Sequence, residues 1–97
     1  MEFNITKEEY AKAKAKAKEL KLNFEEFVEV CCNEFLKENE MKYKINLLLK
    51  ADNTSNNMKK ISANFSENKV KTKIIEASKE NKIPISDFIR VCINNLI

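Results

Sequence analysis

Lys82–Ile97, KIPISDFIRVCINNLI, decides how this chain is read, because it repeats Lys21–Leu36, KLNFEEFVEVCCNEFL. Set sixty-one positions apart, the two stretches share Lys21/Lys82, Phe27/Phe88, Val30/Val91, Cys31/Cys92 and Asn33/Asn94. Leu22/Ile83, Phe24/Ile85, Val28/Ile89, Phe35/Leu96 and Leu36/Ile97 match in apolar kind. A short repeated unit cannot bury its apolar face alone, so the two copies are expected to pack on each other. The later copy has little polar face, with Ile85, Phe88, Ile89, Val91, Cys92 and Ile93 following in close order. That pattern predicts a helix covered on most sides, touching its own copy and its counterpart.

Upstream of each stretch the pattern changes period. MEFNIT alternates, with Phe3 and Ile5 on one side and Glu2, Asn4 and Thr6 on the other, as in a half-buried strand. Thr6 with Glu9 three residues later forms a capping box, predicting a helix to about Leu20. Its inward stripe is Tyr10, Ala13, Ala17 and Leu20; Lys12, Lys14, Lys16 and Lys18 fan toward solvent. Asn23 and Glu26 repeat the capping pattern for a second helix, Phe24 to about Lys37.

In the second copy Lys60–Ser66 alternates, with Ile61, Ala63 and Phe65 inward and Lys60, Ser62, Asn64 and Ser66 outward. Here Asn4/Asn64, Ile5/Phe65 and Thr6/Ser66 coincide at an offset of sixty, so one extra residue is expected further on, near Glu80–Asn81. Ser66 caps a helix to about Lys79 with Val70, Ile74 and Ala77 inward, and Pro84 suits the first turn of the last helix. Each copy thus reads strand, helix, helix over residues 1–38 and 58–97. Residues 39–57 form a connector, in which NEMKYKINLLLKA either continues the preceding helix or makes a third one and DNTSNN is turn-rich.

Ninety-seven residues make one shared core the expectation, because each half alone is too small to fold without a metal, disulfides or a partner. The net charge of +3 is unevenly spread: residues 1–38 carry −2, residues 39–57 +1 and residues 58–97 +4. An odd set of cysteines, Cys31, Cys32 and Cys92, with no secretory leader, points to a reducing compartment and a cytoplasmic protein. Cys31 and Cys92 fall on apolar helical faces and read as core. There is no histidine and no C-x-x-C, so neither a metal site nor a cofactor is expected. Catalysis is not expected either: no histidine is present for proton transfer, no Gly-rich phosphate cradle exists, and no Ser or Cys stands beside a base. No apolar run approaches the roughly 20 residues that a membrane span needs.

EFNIT and KISANFS as ribbons, with AKELKLNFEEFVEVCCNEFL and ASKENKIPISDFIRVCINNLI as helix pairs, resemble the ribbon-helix-helix (MetJ/Arc-type) DNA-binding family. The resemblance is to two tandem copies in one chain, similar to tandem regulators of archaeal viruses, and leaves the connector outside it. It implies a mainly α fold with a short two-stranded antiparallel β-ribbon, the copies forming an intramolecular pseudo-dimer. It also implies a sequence-specific regulator of transcription, in simplest form a repressor from a virus or plasmid, acting in the (host) cytoplasm on double-stranded DNA. Copies of the chain are expected to associate on DNA.

A two-stranded ribbon fits the major groove, where each base pair shows its own donor and acceptor pattern. The base-reading candidates are the outward residues Glu2, Asn4, Thr6, Lys60, Ser62 and Asn64. Asn4 and Asn64 occupy equivalent places and suit adenine N6 and N7, Lys60 suits guanine, and Glu2 is disfavoured beside phosphates. The resemblance places phosphates at the amino ends of the second helices, at Asn23 and Phe24 and at Ile85 and Ser86, with Lys21 and Lys82 adding charge. Glu25 and Glu26 crowd the first of these ends, so the second half is expected to grip harder. The rival reading is a protein-docking module or inhibitor, with Ile45, Leu47, Leu48 and Leu49 of the connector as its docking face.

Overall fold

The computed structural model describes residues 2–37, 40–49, 58–62, 65 and 68–97. Their order is β1 (Glu2–Thr6), α1 (Lys7–Glu19), α2 (Phe24–Leu36), α3 (Met41–Leu49), β2 (Met58–Ser62), α4 (Asn68–Glu80) and α5 (Ile85–Asn94). The fold is mainly helical with a two-stranded antiparallel sheet. The strands are far apart in sequence and pair Glu2 with Ser62, Phe3 with Ile61, Asn4 with Lys60, Ile5 with Lys59 and Thr6 with Met58. A lone pair of strands is marginal in water, so this ribbon depends on what lies beneath it.

Beneath it lies one core. Phe3 and Ile61 from the ribbon join Ala13, Phe27, Ile45, Ile74 and Ile89, so every element contributes to a single apolar cluster. α5 is its centre: it packs against β1 and against each of the other four described helices. Phe88, Ile89, Val91, Cys92 and Ile93 are at most 1% exposed. Burying each of the larger of these side chains contributes about 1.5–3 kcal/mol. Phe88 meets Phe35 of α2 edge-on, with ring centroids 5.7 Å apart.

Both capping boxes form. The Glu9 N–H donates to Thr6 Oγ1 at 3.0 Å while the Thr6 N–H donates to Glu9 Oε1 at 2.9 Å. Asn23 and Glu26 exchange the same two bonds at 2.8 and 2.9 Å. α1 and α4 also end alike. Lys21 and Lys82 have φ of 60° and 57°, and the Leu22 and Ile83 N–H groups reach back to the Ala17 and Ser78 carbonyls. This is the Schellman closure, whose left-handed position usually takes glycine. With no glycine in the chain, a lysine fills it twice. A non-glycine residue there costs about 1–2 kcal/mol.

These turns correct the placement of the extra residue at Glu80–Asn81. Their bonds match at an offset of sixty-one, and so does the buried pair Ala13/Ile74 upstream of them. The extra residue therefore lies upstream of these turns. The reason is geometric: an inserted residue in the turn would break the six-to-one bond and swing α5 off the core.

Val70, Ile74 and Ala77 line the inward face of α4 and Ala13 and Ala17 that of α1, as their spacing predicts. Leu20, expected inward, is 48% exposed, because it is the C-cap of α1 and the chain turns away there. Phe65 packs against the core, whereas Ala63, Asn64, Ser66 and DNTSNN lie outside the described residues. The first part of the connector forms a separate helix, α3, held on α5 and buried through Ile45 at 3% exposure. Ile45 is thus taken out of the expected docking face; Leu47, at 51%, remains on the surface.

Candidate nucleic-acid interface

The ribbon pleat sorts its residues into two faces. Phe3, Ile5 and Ile61 point into the core. Glu2 and Asn4 from β1, and Lys60 and Ser62 from β2, are exposed on the outer face, where Asn4 stands directly across from Lys60. Glu2 and Lys60 are diagonal neighbours joined by a 3.0 Å ion pair. With both side chains more than half exposed, it orients the lysine more than it stabilises the fold. It also offsets the carboxylate that the sequence reading disfavoured near phosphate.

Thr6 departs from its expected role. It shares the outer register but is 8% exposed, and its hydroxyl oxygen accepts the Glu9 N–H at the start of α1. One side chain cannot both close that helix end and project into a groove. Asn64, expected to match Asn4, lies outside the described residues. Lys59 carries a contact that sequence reasoning missed. It faces inward opposite Ile5, stays exposed at the ribbon end, and holds its ammonium 4.4 Å from the Tyr10 ring centroid.

The starts of α2 and α5 differ. At α2 the side chains of Asn23 and Glu26 close the end against each other, and Phe24 turns its ring to Tyr10 at 5.0 Å. Glu25 and Glu26 add negative charge there. At α5 the cap is Pro84, which has no side-chain acceptor, so nothing from the cap meets the amides of Ile85 and Ser86. The only acid in that first turn is Asp87. Lys21 and Lys82 are both exposed on the turns leading into these helices.

One polar cluster joins the halves beneath the ribbon. Arg90 of α5 donates from Nε and Nη2 to the two carboxylate oxygens of Glu9, each at 3.0 Å. Asn94 Nδ2 donates to Glu9 Oε2 at 2.7 Å. The two charged side chains are 13–14% exposed. Burial alone would push the Glu9 carboxyl up, but the bonds from Arg90, the Thr6 N–H and Asn94 outweigh it and hold it below its ordinary value. The sequence carried one signal for this pair: Arg90 is the only arginine in a lysine-rich chain and sits in a helix with little polar face.

Cys31, Cys32 and Cys92 are buried free thiols. Burial, with Cys32 alongside, pushes Cys31 up to about 12, and burial likewise raises Cys92 well above the ordinary thiol value. Such thiols are core material and poor nucleophiles. Among the described residues no group of three or more His, Cys, Asp or Glu side chains is placed to hold a metal ion, and no helix is long and apolar enough to cross a membrane. In comparisons with known proteins, no family model, no curated protein and no solved structure matches the chain.

Proposed function

We propose that this chain is a sequence-specific double-stranded DNA-binding regulator of transcription, acting as a repressor, in which two tandem ribbon-helix-helix copies form one pseudo-dimer. The observation that carries the reading is the ribbon. One strand from each half pairs antiparallel, its inner face is anchored in the core, and its outer face presents Glu2, Asn4, Lys60 and Ser62 to solvent. A ribbon of this kind enters a major groove about 12 Å wide. Asn4 and Lys60, side by side, suit an adenine next to a guanine, since an amide matches adenine N6 and N7 and an ammonium matches guanine O6 and N7.

Helix packing supports the same reading: α2 lies on α5, and each crosses to the first helix of the other half, α2 on α4 and α5 on α1. The backbone on either side of the groove is gripped at the helix starts, more firmly by Lys82, Ile85 and Ser86 than by Lys21, Asn23 and Phe24, whose helix end is closed by its own side chains. Several copies of the chain side by side extend the contact along DNA. The test is Asn4→Ala on the preferred duplex: a loss of about 1–3 kcal/mol with relaxed base choice at one position supports base reading. An unchanged preference removes Asn4 from the groove.

A second reading, docking of a protein partner through α3, is favoured by one observation. Tyr43 and Leu47, one turn apart, are 61% and 51% exposed. The two readings use opposite sets of residues, so Asn4→Ala and Leu47→Ser separate them.

A further inference from the structure

The first half carries a groove at the start of α2 that shares Lys21, Asn23 and Phe24 with the weaker of the two proposed phosphate positions. It is open to solvent, has a volume of about 550 Å³, and is lined by Lys14, Ala17, Lys18, Lys21, Leu22 and Phe24 among others. Its floor is apolar: Ala17 is buried, and Leu22 and Phe24 are half-buried with faces left toward the groove. Its rim is cationic. No carboxylate among the described residues pairs with Lys14, Lys18 or Lys21. Lys14 is held in place instead by the Tyr10 ring, 5.4 Å from its ammonium, and Tyr10 is braced against Phe24.

We propose that this groove binds a small amphipathic anion, a carboxylate or sulfonate carrying an apolar body. Charge complementarity selects the anion, since three lysines, Lys14, Lys18 and Lys21, line one opening with no carboxylate among its lining residues. The floor selects the apolar body: a bare inorganic anion would leave Leu22 and Phe24 wet, whereas an acyl chain or aromatic ring covers them. The feature belongs to one repeat. At the equivalent positions of the second, sixty-one residues on, Lys14 becomes Ile75 and Ala15 becomes Glu76, so the cationic rim is broken by an apolar and an acidic residue. The half whose helix start is capped by its own side chains, and so grips phosphate less firmly, is the half that holds the groove. Binding here does not depend on the DNA reading.

The experiment is titration of isotope-labelled protein with octanoate and with 1-naphthalenesulfonate, following backbone amide shifts, with 1-octanol and inorganic sulfate as controls. Saturable shifts centred on Ala15, Ala17, Leu22 and Phe24 are expected for both amphipathic anions, together with weaker binding of each control. The exposed pair Lys14→Gln/Lys18→Gln, which leaves the core untouched, should weaken octanoate by about tenfold. Lys73→Gln/Lys79→Gln on the second half should leave it unchanged. Octanol binding as well as octanoate, sulfate shifting the same amides equally, or affinity indifferent to Lys14 and Lys18 would each overturn the assignment.

Discussion

Replacing Arg90 by methionine breaks an ion pair that ties α5 to α1 from within. The variant keeps the aliphatic bulk but removes two 3.0 Å charge-assisted bonds and leaves the Glu9 carboxylate, 13% exposed, with only the Thr6 N–H and Asn94 as donors. Removing one partner of a buried pair costs about 3–5 kcal/mol; two remaining donors and slight solvent access put this case at the lower end, about 3 kcal/mol. In urea, with a slope of about 2 kcal/mol/M for a domain of this size, the unfolding midpoint drops by about 1.5 M. Glu9→Gln/Arg90→Met recovers half or more of the loss, because glutamine still accepts the Thr6 N–H in the capping box while no charge stays buried.

Acid adds a signature. The folded carboxyl of Glu9 lies below its ordinary value of 4.5, so its stabilisation is complete above that pH and is lost as pH falls through the lower folded value. Arg90→Met has already lost most of that term, so the stability gap between the two proteins closes as pH falls from 4.5 through the lower folded value of Glu9. A cost under about 1 kcal/mol at pH 7, or a gap that stays constant into acid, would refute the pair as a structural tie.

Lys82→Ala should weaken all duplexes alike and shallow the salt slope by about one unit, with Lys21→Ala doing less. Lys82→Gly should show the same DNA defect while raising stability by about 1 kcal/mol, because glycine relieves the left-handed turn; a larger effect from Lys21→Ala contradicts the asymmetry between the halves. Ile45→Ala should cost about 2–4 kcal/mol in thermal or urea unfolding and Leu47→Ser less than about 0.5, one being core and the other surface; equal costs contradict the packing of α3 on α5. The three thiols should resist an aromatic disulfide reagent at pH 8 in the folded protein and all react once it is unfolded. Prompt reaction of a thiol without unfolding contradicts their burial.

What was legible in the sequence was local or repeated. The two capping boxes lie within four residues of chain each, and the alternation of Phe3 and Ile5 needs only the pleat. The burial of α5 followed from its lack of a polar face. What escaped depended on distance or on a missing marker. Glu9 and Arg90 are eighty-one residues apart, and Glu9 already had a local explanation as a capping residue. The left-handed turns at Lys21 and Lys82 had no glycine to announce them. Thr6 was assigned to both the cap and the groove, although a single hydroxyl fills one place. Ile45, Leu47, Leu48 and Leu49 spread around most of one helical turn, so periodicity could not show that Ile45 faces inward while Leu47 faces solvent. The groove beside α1 was hidden within AKAKAKAK, where lysines read as a solvated face; only the fold shows Lys14, Lys18 and Lys21 lining one groove with Leu22 and Phe24.

The most direct test of the ribbon as a DNA reader is selection of duplexes by the purified chain from a randomised pool, sequenced and repeated at two salt concentrations. The account predicts enrichment of a short, imperfectly palindromic site, an adenine preference that disappears in Asn4→Ala, and affinity that falls steeply with salt. A pool that emerges unenriched, with binding weak at both salt concentrations, would contradict it and turn attention to Tyr43 and Leu47 on α3.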